Sequence, residues 1–159
     1  MDAFQSIRSP ALDAIGSFIG LFGLTEVSVG IALGLAAARA RRSPRDGLVP
    51  LFILAVIAIE AALKLLIPHA PPPSDRTRTL ELLPHVQVAF ASSFPSGHVA
   101  RITFLTGIVR GWPRWLPAVV VILMIASRLY LGEHWLSDCL GGLALGWLAA
   151  KAARLLERT

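Results

Sequence analysis

Long runs of apolar residues alternate with shorter polar segments along the chain. The apolar runs lie at about residues 12–38, 47–67, 96–109, 115–129 and 135–156. A run of roughly 20 apolar residues is long enough to cross the hydrocarbon core of a bilayer as a helix. The pattern therefore predicts an all-α fold, a polytopic transmembrane helical bundle of about five spans, or about six if the N-terminal stretch forms another.

Two polar segments complete this architecture. Residues 1–11 mix apolar and charged positions at a spacing that suits a short helix lying at the membrane interface. Residues 68–95 form a long outer loop, because the prolines at its start prevent the preceding helix from continuing. The part at 80–91 could dip into the interface. We expect residues 1–159 to form a single integral membrane domain.

Composition and charge exclude two broad classes of protein. A hydrophobic content of 55% and a mean hydropathy of +0.66 exclude an ordinary soluble domain. The net charge of +5 does not indicate nucleic-acid binding, because the 15 lysines and arginines are scattered at the ends of apolar runs. Cys139 is the single cysteine, which excludes an internal disulfide and a thiolate metal cluster.

The distribution of basic residues predicts how the chain is oriented. If each run crosses once, residues 68–95, the start of the third run and residues 128–138 emerge on one face. Basic residues concentrate on the opposite face, which the positive-inside tendency makes cytoplasmic. They are Arg39, Arg41, Arg42, Arg45, Arg110, Arg114, Lys151, Arg154 and Arg158. We therefore predict a multi-pass protein of the inner (plasma) membrane, whose polar motifs face the periplasm or exterior.

Glycines spaced four residues apart predict close helix packing, because small residues let neighbouring helices approach. These pairs are Gly16 and Gly20, Gly30 and Gly34, and Gly142 and Gly146.

The candidate chemistry is densest between Ser127 and Asp138. His134 and Asp138 are four residues apart, so on a helix the carboxylate can reach the imidazole across one turn. Such a contact fixes the tautomer and leaves the other ring nitrogen free to attack. Arg128 is suited to hold an oxyanion in two-point contact. Taken alone, the segment could equally be a surface loop whose polar residues cap helices.

Two further polar clusters are predicted on the same face. Phe94-Pro-Ser-Gly-His98 opens the third run, where free backbone N–H groups and the helix dipole favour a phosphate. Gly97 lets the backbone approach the anion and Ser96 adds a hydroxyl donor. Lys64 ends the second run. Each piece has an ordinary structural explanation, but together they supply a nucleophile, a proton donor and fixed positive charge for phosphoryl transfer.

These motifs resemble the type-2 phosphatidic acid phosphatase (PAP2) superfamily, which shares its site with vanadium haloperoxidases. Pro95-Ser-Gly-His98 and Ser127-Arg128…His134…Asp138 match two of the three signatures of that family. The resemblance implies a PAP2/haloperoxidase-like core and a reaction that needs no metal or other cofactor. It also implies site roles: His134 as nucleophile, Asp138 as its orienting group, His98 as proton donor, and Lys64, Ser96, Gly97 and Arg128 as phosphate ligands.

The remaining signature, which comes first along the chain and begins at Lys64, departs from the family pattern. Where the resemblance leads us to expect Arg-Pro after Lys64, this chain has Pro71-Pro72. Arg76 in the loop, or Arg101 one helical turn beyond His98, could supply the missing charge. Arg76 is favoured, because a buried Arg101 could instead serve helix packing, and we predict that Arg76→Ala lowers turnover much more than Arg78→Ala.

The resemblance implies a membrane phosphatase of lipid phosphates or diphosphates acting on the outer leaflet through a phosphohistidine. Polyprenyl (undecaprenyl) diphosphate is the leading substrate, with phosphatidylglycerol phosphate, phosphatidic acid and lipid A phosphates open. The partners expected are the lipid substrate and the bilayer. A small transporter is an alternative, in which Glu26, Glu60 and Lys64 form a relay and His134 is dispensable. A non-catalytic scaffold that uses its glycine faces is another.

Overall fold

The computed structural model describes residues 9–84 and 90–156, and these residues form helices, turns and loops without a β-strand. The all-α prediction is confirmed there. The predicted interfacial segment 1–11 and the loop part 80–91 lie partly outside the described residues. The helices are α1 (Pro10–Leu21), α2 (Thr25–Ala40), α3 (Pro44–Leu48), α4 (Ile53–Leu66), α5 (Gly97–Ile108), α6 (Trp115–Tyr130) and α7 (Leu136–Leu156), with 3-10 turns at Val49–Phe52 and Ser74–Arg76.

The first predicted span, 12–38, is broken rather than continuous. Helices α1 and α2 meet at an angle of 46° across the residues between Leu21 and Thr25. The carbonyl of Gly23, inside the break, accepts a hydrogen bond of 2.8 Å from Nε of Arg101. Irregular backbone is tolerated at membrane depth where protein groups satisfy it, and Arg101 does so here. Glu26 consequently lies in the first turn of α2 instead of at mid-helix.

The second predicted span, 47–67, is present in a longer form. Helix α3, the 3-10 turn and α4 together make a helical stretch of 23 residues, Pro44–Leu66. Pro50 lies in the 3-10 turn, where its missing N–H and fixed backbone angle are compatible with a tighter helical winding.

The number of membrane crossings remains a prediction. By length and composition, two helices of the described chain can cross a membrane, Pro44–Leu66 and Leu136–Leu156, and the bent pair α1 and α2 would make a third. Helix α6 has 16 residues and α5 has 12, both shorter than a typical span. The predicted third run, 96–109, is therefore a short helix enclosed by the others.

Helix α5 forms the centre of the bundle, and all its residues except His98 and Gly107 are buried. One side, including Phe104, packs in a cluster with residues of α2, α4 and α7. The other side packs with Met124 of α6 and Cys139 of α7. The first residues of α5, where the candidate phosphate ligands lie, are therefore held between neighbouring helices.

Two of the three glycine pairs make the predicted close contacts. A Cβ added at Gly142 would collide with the Ser96 carbonyl, and one at Gly146 with the Ala100 carbonyl. In the pair on α1, added atoms would contact Leu131 and the Arg128 guanidinium. The pair on α2, Gly30 and Gly34, has no atom within 4 Å of the added Cβ, so the prediction of close packing is wrong for it within the described chain.

We expect Gly146→Ala to destabilise the protein by about 1–3 kcal/mol, because the new methyl group enters the backbone contact between α5 and α7. The matched exchange Gly34→Ala adds the same methyl group in open space, and should be neutral or stabilise the helix by up to about 1 kcal/mol. Thermal unfolding of the purified variants in detergent measures both effects. Equal melting temperatures would contradict the packing described for α5 and α7.

Three of the basic residues, Arg39, Arg42 and Arg110, lie at the opposite end of α5 from the polar motifs. Arg39 of α2 donates a hydrogen bond of 2.6 Å to the carbonyl of Ile108, the last residue of α5. Arg42 and Arg110 line a cavity beside Arg39. His98 lies at the opposite, N-terminal end of the same helix. This separation agrees with the distribution of charge expected from the sequence.

Candidate active site

His134 and Asp138 are in contact at the start of α7. Nδ1 of His134 lies 3.3 Å from Oδ2 of Asp138, and the backbone N–H of Trp135 donates to the same oxygen at 2.9 Å. The chain reaches this position through a turn at Gly132, whose φ of 72° suits glycine. Because the carboxylate is an acceptor, Nδ1 of His134 carries the proton, and Nε2 retains its lone pair for attack.

His98 faces the same point from the start of α5. Nitrogens of His98 and His134 and a carboxylate oxygen of Glu133 all lie within 4.8 Å of one another. His134 is almost fully buried, whereas His98 and Glu133 are half-buried. The two histidines that the sequence places 36 positions apart therefore lie next to each other.

The Pro-Ser-Gly-His motif leaves a polar group available at the N-terminus of α5. Ser96 is fully buried, and its hydroxyl has no hydrogen-bond partner among the described residues. Its backbone N–H donates to the carbonyl of Asp138 at 2.9 Å, which ties this motif to α7. A buried hydroxyl without a partner is costly, so a hydrogen bond from the Ser96 hydroxyl to a bound anion would be favourable.

Arg128 is almost completely buried behind the two histidines. Its Nε donates to the Ser127 hydroxyl at 3.1 Å, and one Nη donates to the Gly16 carbonyl at 3.2 Å. The other Nη forms an ion pair with Glu133. The guanidinium is thus fixed in position, and in this structure it is paired with a carboxylate.

Lys64 and Arg101 are joined by a second carboxylate. Lys64 Nζ lies 3.2 Å from one oxygen of Glu60, and Arg101 forms an ion pair with the other. Glu60 and Lys64 are four residues apart, so this ion pair joins neighbouring turns of α4. The Glu60 carboxylate lies against the backbone of Gly97, because a Cβ added there would collide with it. Two cations and one carboxylate therefore lie beside the N-terminus of α5.

Gly20 of α1 and Gly23 of the break after it form a wall of the site that the sequence did not predict. A Cβ added at Gly20 would collide with the Arg128 guanidinium, and one at Gly23 with the His98 ring. Together with the 79–83 loop, α1 encloses a cavity of about 60 Å³ lined by His98, Arg128 and Glu133. The loop is fixed to this wall by a hydrogen bond of 2.9 Å from the Leu80 N–H to the Ser17 hydroxyl.

Glu133 and His69 are the other site residues that sequence reasoning missed. Glu133 pairs with Arg128 and also accepts a hydrogen bond from the Thr79 hydroxyl. The sequence could have identified Glu133 as a site residue, because it is next to His134 and five residues after Arg128. His69 lies 3.2 Å from Asp138, and no spacing rule connects two residues so far apart in the chain.

Comparison with known proteins identifies the family. The sequence profile of the PAP2 superfamily matches residues 46–159, which include every motif described above. The chain belongs to the PAP2 superfamily. Over 68 residues, which are 40% of this chain, it is 38% identical to the protein named "Putative undecaprenyl-diphosphatase YbjG" of Escherichia coli K12. The match spans 34% of the length of that relative.

Two solved structures share the PAP2 fold of this chain. One is a transmembrane PAP2-type phosphatidylglycerolphosphate phosphatase from Bacillus subtilis, with a TM-score of 0.79, 23% identity and coverage of 99% of this chain and 82% of that chain. The other is LpxE from Aquifex aeolicus, with a TM-score of 0.72, 20% identity and coverage of 96% and 91%. At these identities the likeness establishes the fold alone.

Both cationic and anionic side chains adjoin the PAP2 site. By position, His98, Glu133 and His134 could together hold a metal ion. However, Arg128, Arg101 and Lys64 all lie close enough to act electrostatically on His98. Each of these cations is paired with Glu133 or Glu60 in this structure, and a phosphate could take over the guanidinium contacts that Glu133 now holds.

The two arginines considered as substitutes for the missing PAP2 arginine occupy different surroundings. Arg76 is exposed in the 3-10 turn. Arg101 is buried, three residues from His98, and is held by Glu60 and the Gly23 carbonyl. The expected proline, Pro72, is buried, and Pro71 is exposed.

Arg78 anchors the loop that covers the cavity. Its contacts favour a larger effect for Arg78→Ala than for Arg76→Ala, the reverse of the order expected from the sequence. Arg78 donates to the Tyr130 carbonyl at 2.8 Å, and its guanidinium lies over the Tyr130 ring. We expect Arg78→Ala to raise KM for a lipid phosphate several-fold, because these two contacts are worth about 1–2 kcal/mol. Arg76→Ala should change KM by less than about twofold. Steady-state kinetics of both variants decide the order, and a larger loss for Arg76→Ala would restore Arg76 as a phosphate ligand.

Proposed function

We propose that this PAP2 protein is a membrane-embedded phosphatase that hydrolyses a lipid phosphate or diphosphate through a phosphohistidine intermediate. The observation that carries the proposal is the proximity of His98 and His134, with Asp138 in contact with His134 and Arg128 held close by. The contacts of these residues suit phosphoryl transfer, in which positioning and fixed charge supply most of the catalysis.

In the first step, Nε2 of His134 attacks phosphorus and a nitrogen–phosphorus bond forms. The bond from phosphorus to the leaving oxygen breaks, and that oxygen takes a proton from His98. The ring of His134 becomes positively charged, and the buried Asp138 carboxylate stabilises it through Nδ1. Arg128, the Ser96 hydroxyl and the backbone N–H groups at the start of α5 are placed to hold the phosphoryl oxygens.

In the second step, a water molecule attacks the phosphohistidine and gives a proton to His98. The nitrogen–phosphorus bond breaks, inorganic phosphate leaves, and His134 and His98 return to their starting states. The same residue therefore serves as acid in the first step and as base in the second. No step requires a metal ion or another cofactor.

Glu133 occupies part of the space that a phosphate would need. Its carboxylate pairs with Arg128 and lies within 4.8 Å of both histidines. A phosphate carries more negative charge than a carboxylate and can take the same guanidinium contacts, so it can displace Glu133 from Arg128. Displacement would also break the hydrogen bond that Glu133 accepts from the Thr79 hydroxyl, which is one contact of the 79–83 loop with the site.

The best substrate is a polyprenyl diphosphate such as undecaprenyl diphosphate. Helices with exposed apolar side chains surround the site, which suits a substrate whose tail lies in lipid. The similarity to YbjG favours a diphosphate, and phosphatidylglycerol phosphate, phosphatidic acid and lipid A phosphates are the alternatives to test. We place residues 1–159 as one domain in the inner membrane with the site at the outer leaflet, since the basic residues lie at the opposite end.

Phosphate release from purified protein in EDTA tests this function. The panel contains undecaprenyl diphosphate, phosphatidylglycerol phosphate, phosphatidic acid and a soluble phosphomonoester, and a preparation from cells with an empty vector gives the background. We expect release from the lipids, fastest from the diphosphate, with no loss on chelation. Release from no lipid would contradict the function, and release abolished by EDTA would contradict the metal-free mechanism.

A further inference from the structure

We infer that His69 is a positioning residue that acts on the nucleophile His134 through Asp138, an inference that rests on the proposed function. Nδ1 of His69 lies 3.2 Å from Oδ1 of Asp138, while Nδ1 of His134 lies 3.3 Å from Oδ2. One buried carboxylate therefore stands between two imidazoles. His69 follows Lys64 by five residues, in the segment where this chain departs from the PAP2 signature.

The two oxygens of Asp138 are not equally satisfied. Oδ2 accepts from His134 and from the Trp135 N–H. Oδ1 is buried and makes no well-aligned hydrogen bond within the described residues. His69 is within ion-pair distance of it, and a small rotation of the imidazole would direct its N–H at this oxygen. A buried carboxylate needs such a donor, because it cannot be solvated by water.

The backbone around His69 is held in a way that fixes the imidazole. The Ser93 N–H donates to the His69 carbonyl at 2.9 Å, and the Trp135 indole N–H donates to the Ala70 carbonyl at 2.9 Å. The Ser92 hydroxyl donates to the Ile67 carbonyl at 2.7 Å. These bonds come from residues next to the Pro-Ser-Gly-His motif and next to His134. The segment is therefore attached to both halves of the site.

The side chain of His69 is oriented by a second contact as well. Its Nδ1 lies 3.1 Å from the Ser93 hydroxyl, and its ring packs against Phe94. A neutral His69 with the proton on Nδ1 can share it between the Ser93 oxygen and Asp138. The imidazole thereby limits rotation of the carboxylate and keeps Oδ2 directed at His134. The analogous partners of metal-ligating histidines typically change activity by about 10- to 100-fold.

The test measures kcat and KM for phosphate release from a lipid substrate that the wild type hydrolyses. We expect His69→Ala to lower kcat about tenfold with KM unchanged, because the effect reaches the nucleophile and not the bound phosphate. His69→Asn places an amide N–H near the position of Nδ1, and should recover kcat to within about threefold of wild type.

A double-mutant cycle separates action through Asp138 from a structural effect. In an Asp138→Asn background, measured by single turnover at high enzyme concentration, His69→Ala should cause no further loss, because the group it acts on is already changed. Gly34→Ala, which adds a methyl group in open space on another helix, is the control and should leave kcat within about twofold.

Three results would contradict the inference. They are a wild-type kcat in His69→Ala, an equal loss in His69→Asn, and an additive loss in the Asp138→Asn background. Each of these leaves the proposed function intact, because the wild type still releases phosphate. A wild type that hydrolyses no lipid phosphate contradicts both the proposed function and the role of His69.

Discussion

Exchange of His134 for alanine will lower lipid phosphate turnover by at least about 10⁴-fold. The exchange removes the atom that we propose forms the nitrogen–phosphorus bond. Of the two histidines that contact Asp138 within the described chain, His134 is the one that lies beside His98. Phosphate release under single-turnover conditions is the measurement. Binding should survive, because Arg128, Ser96 and the start of α5 remain.

The His134→Ala result must be separated from misfolding. His134 is 9% exposed and contacts the buried Asp138, so its removal leaves a cavity and a carboxylate with one donor fewer, and should destabilise the protein by about 1–3 kcal/mol. We therefore expect a lower melting temperature in detergent, and turnover is compared at a temperature at which both proteins are folded. Turnover that survives in a folded His134→Ala protein would remove His134 as the nucleophile, and is the result that the transporter and scaffold alternatives predict.

Exchange of Arg128 for alanine will lower kcat/KM by about 10²- to 10³-fold. Arg128 is the cation fixed most firmly in the pocket, held by Ser127, the Gly16 carbonyl and Glu133. Its removal also leaves the Glu133 carboxylate unpaired beside an incoming phosphate, which adds repulsion to the lost attraction. The same assay with a lipid phosphate measures this loss.

Arg128→Lys sharpens the second prediction, because it keeps the charge but cannot reproduce the planar, two-point contact. We expect an intermediate loss for this variant. Arg114→Ala, at the opposite end of the bundle beside Lys151, is the matched arginine control and should stay within about twofold of wild type. A value near wild type for Arg128→Ala would mean that the phosphate does not bind at this guanidinium.

Helix positions were predictable from the sequence because apolar runs and their polar boundaries are local features. Helix α7 lies within two residues of the predicted run 135–156. The break between α1 and α2 was not predictable, since it depends on Arg101 reaching the Gly23 carbonyl from another helix. For the same reason, the short run 96–109 is a helix enclosed by the bundle, and its length alone could not decide whether it crosses a membrane.

The site was predictable where its contacts follow helical spacing. His134 and Asp138 are four residues apart, and so are Glu60 and Lys64, and both pairs are in contact. Contacts between segments that are distant in the sequence could not be predicted. Nothing in the sequence connects His69 with Asp138, and the difference between Gly34, which faces open space, and Gly146, which faces a backbone carbonyl, depends on tertiary packing.

Direct detection of the covalent intermediate tests the central claim most sharply. Wild-type protein is mixed with a lipid substrate that carries labelled phosphate, quenched in alkali within one turnover, and digested for mass spectrometry. The account predicts a phosphoryl group on His134 that is stable in alkali and lost in acid, and that is absent from His134→Ala. Labelled phosphate released by an enzyme that never carries the label on His134, or that carries it on another residue, would contradict it.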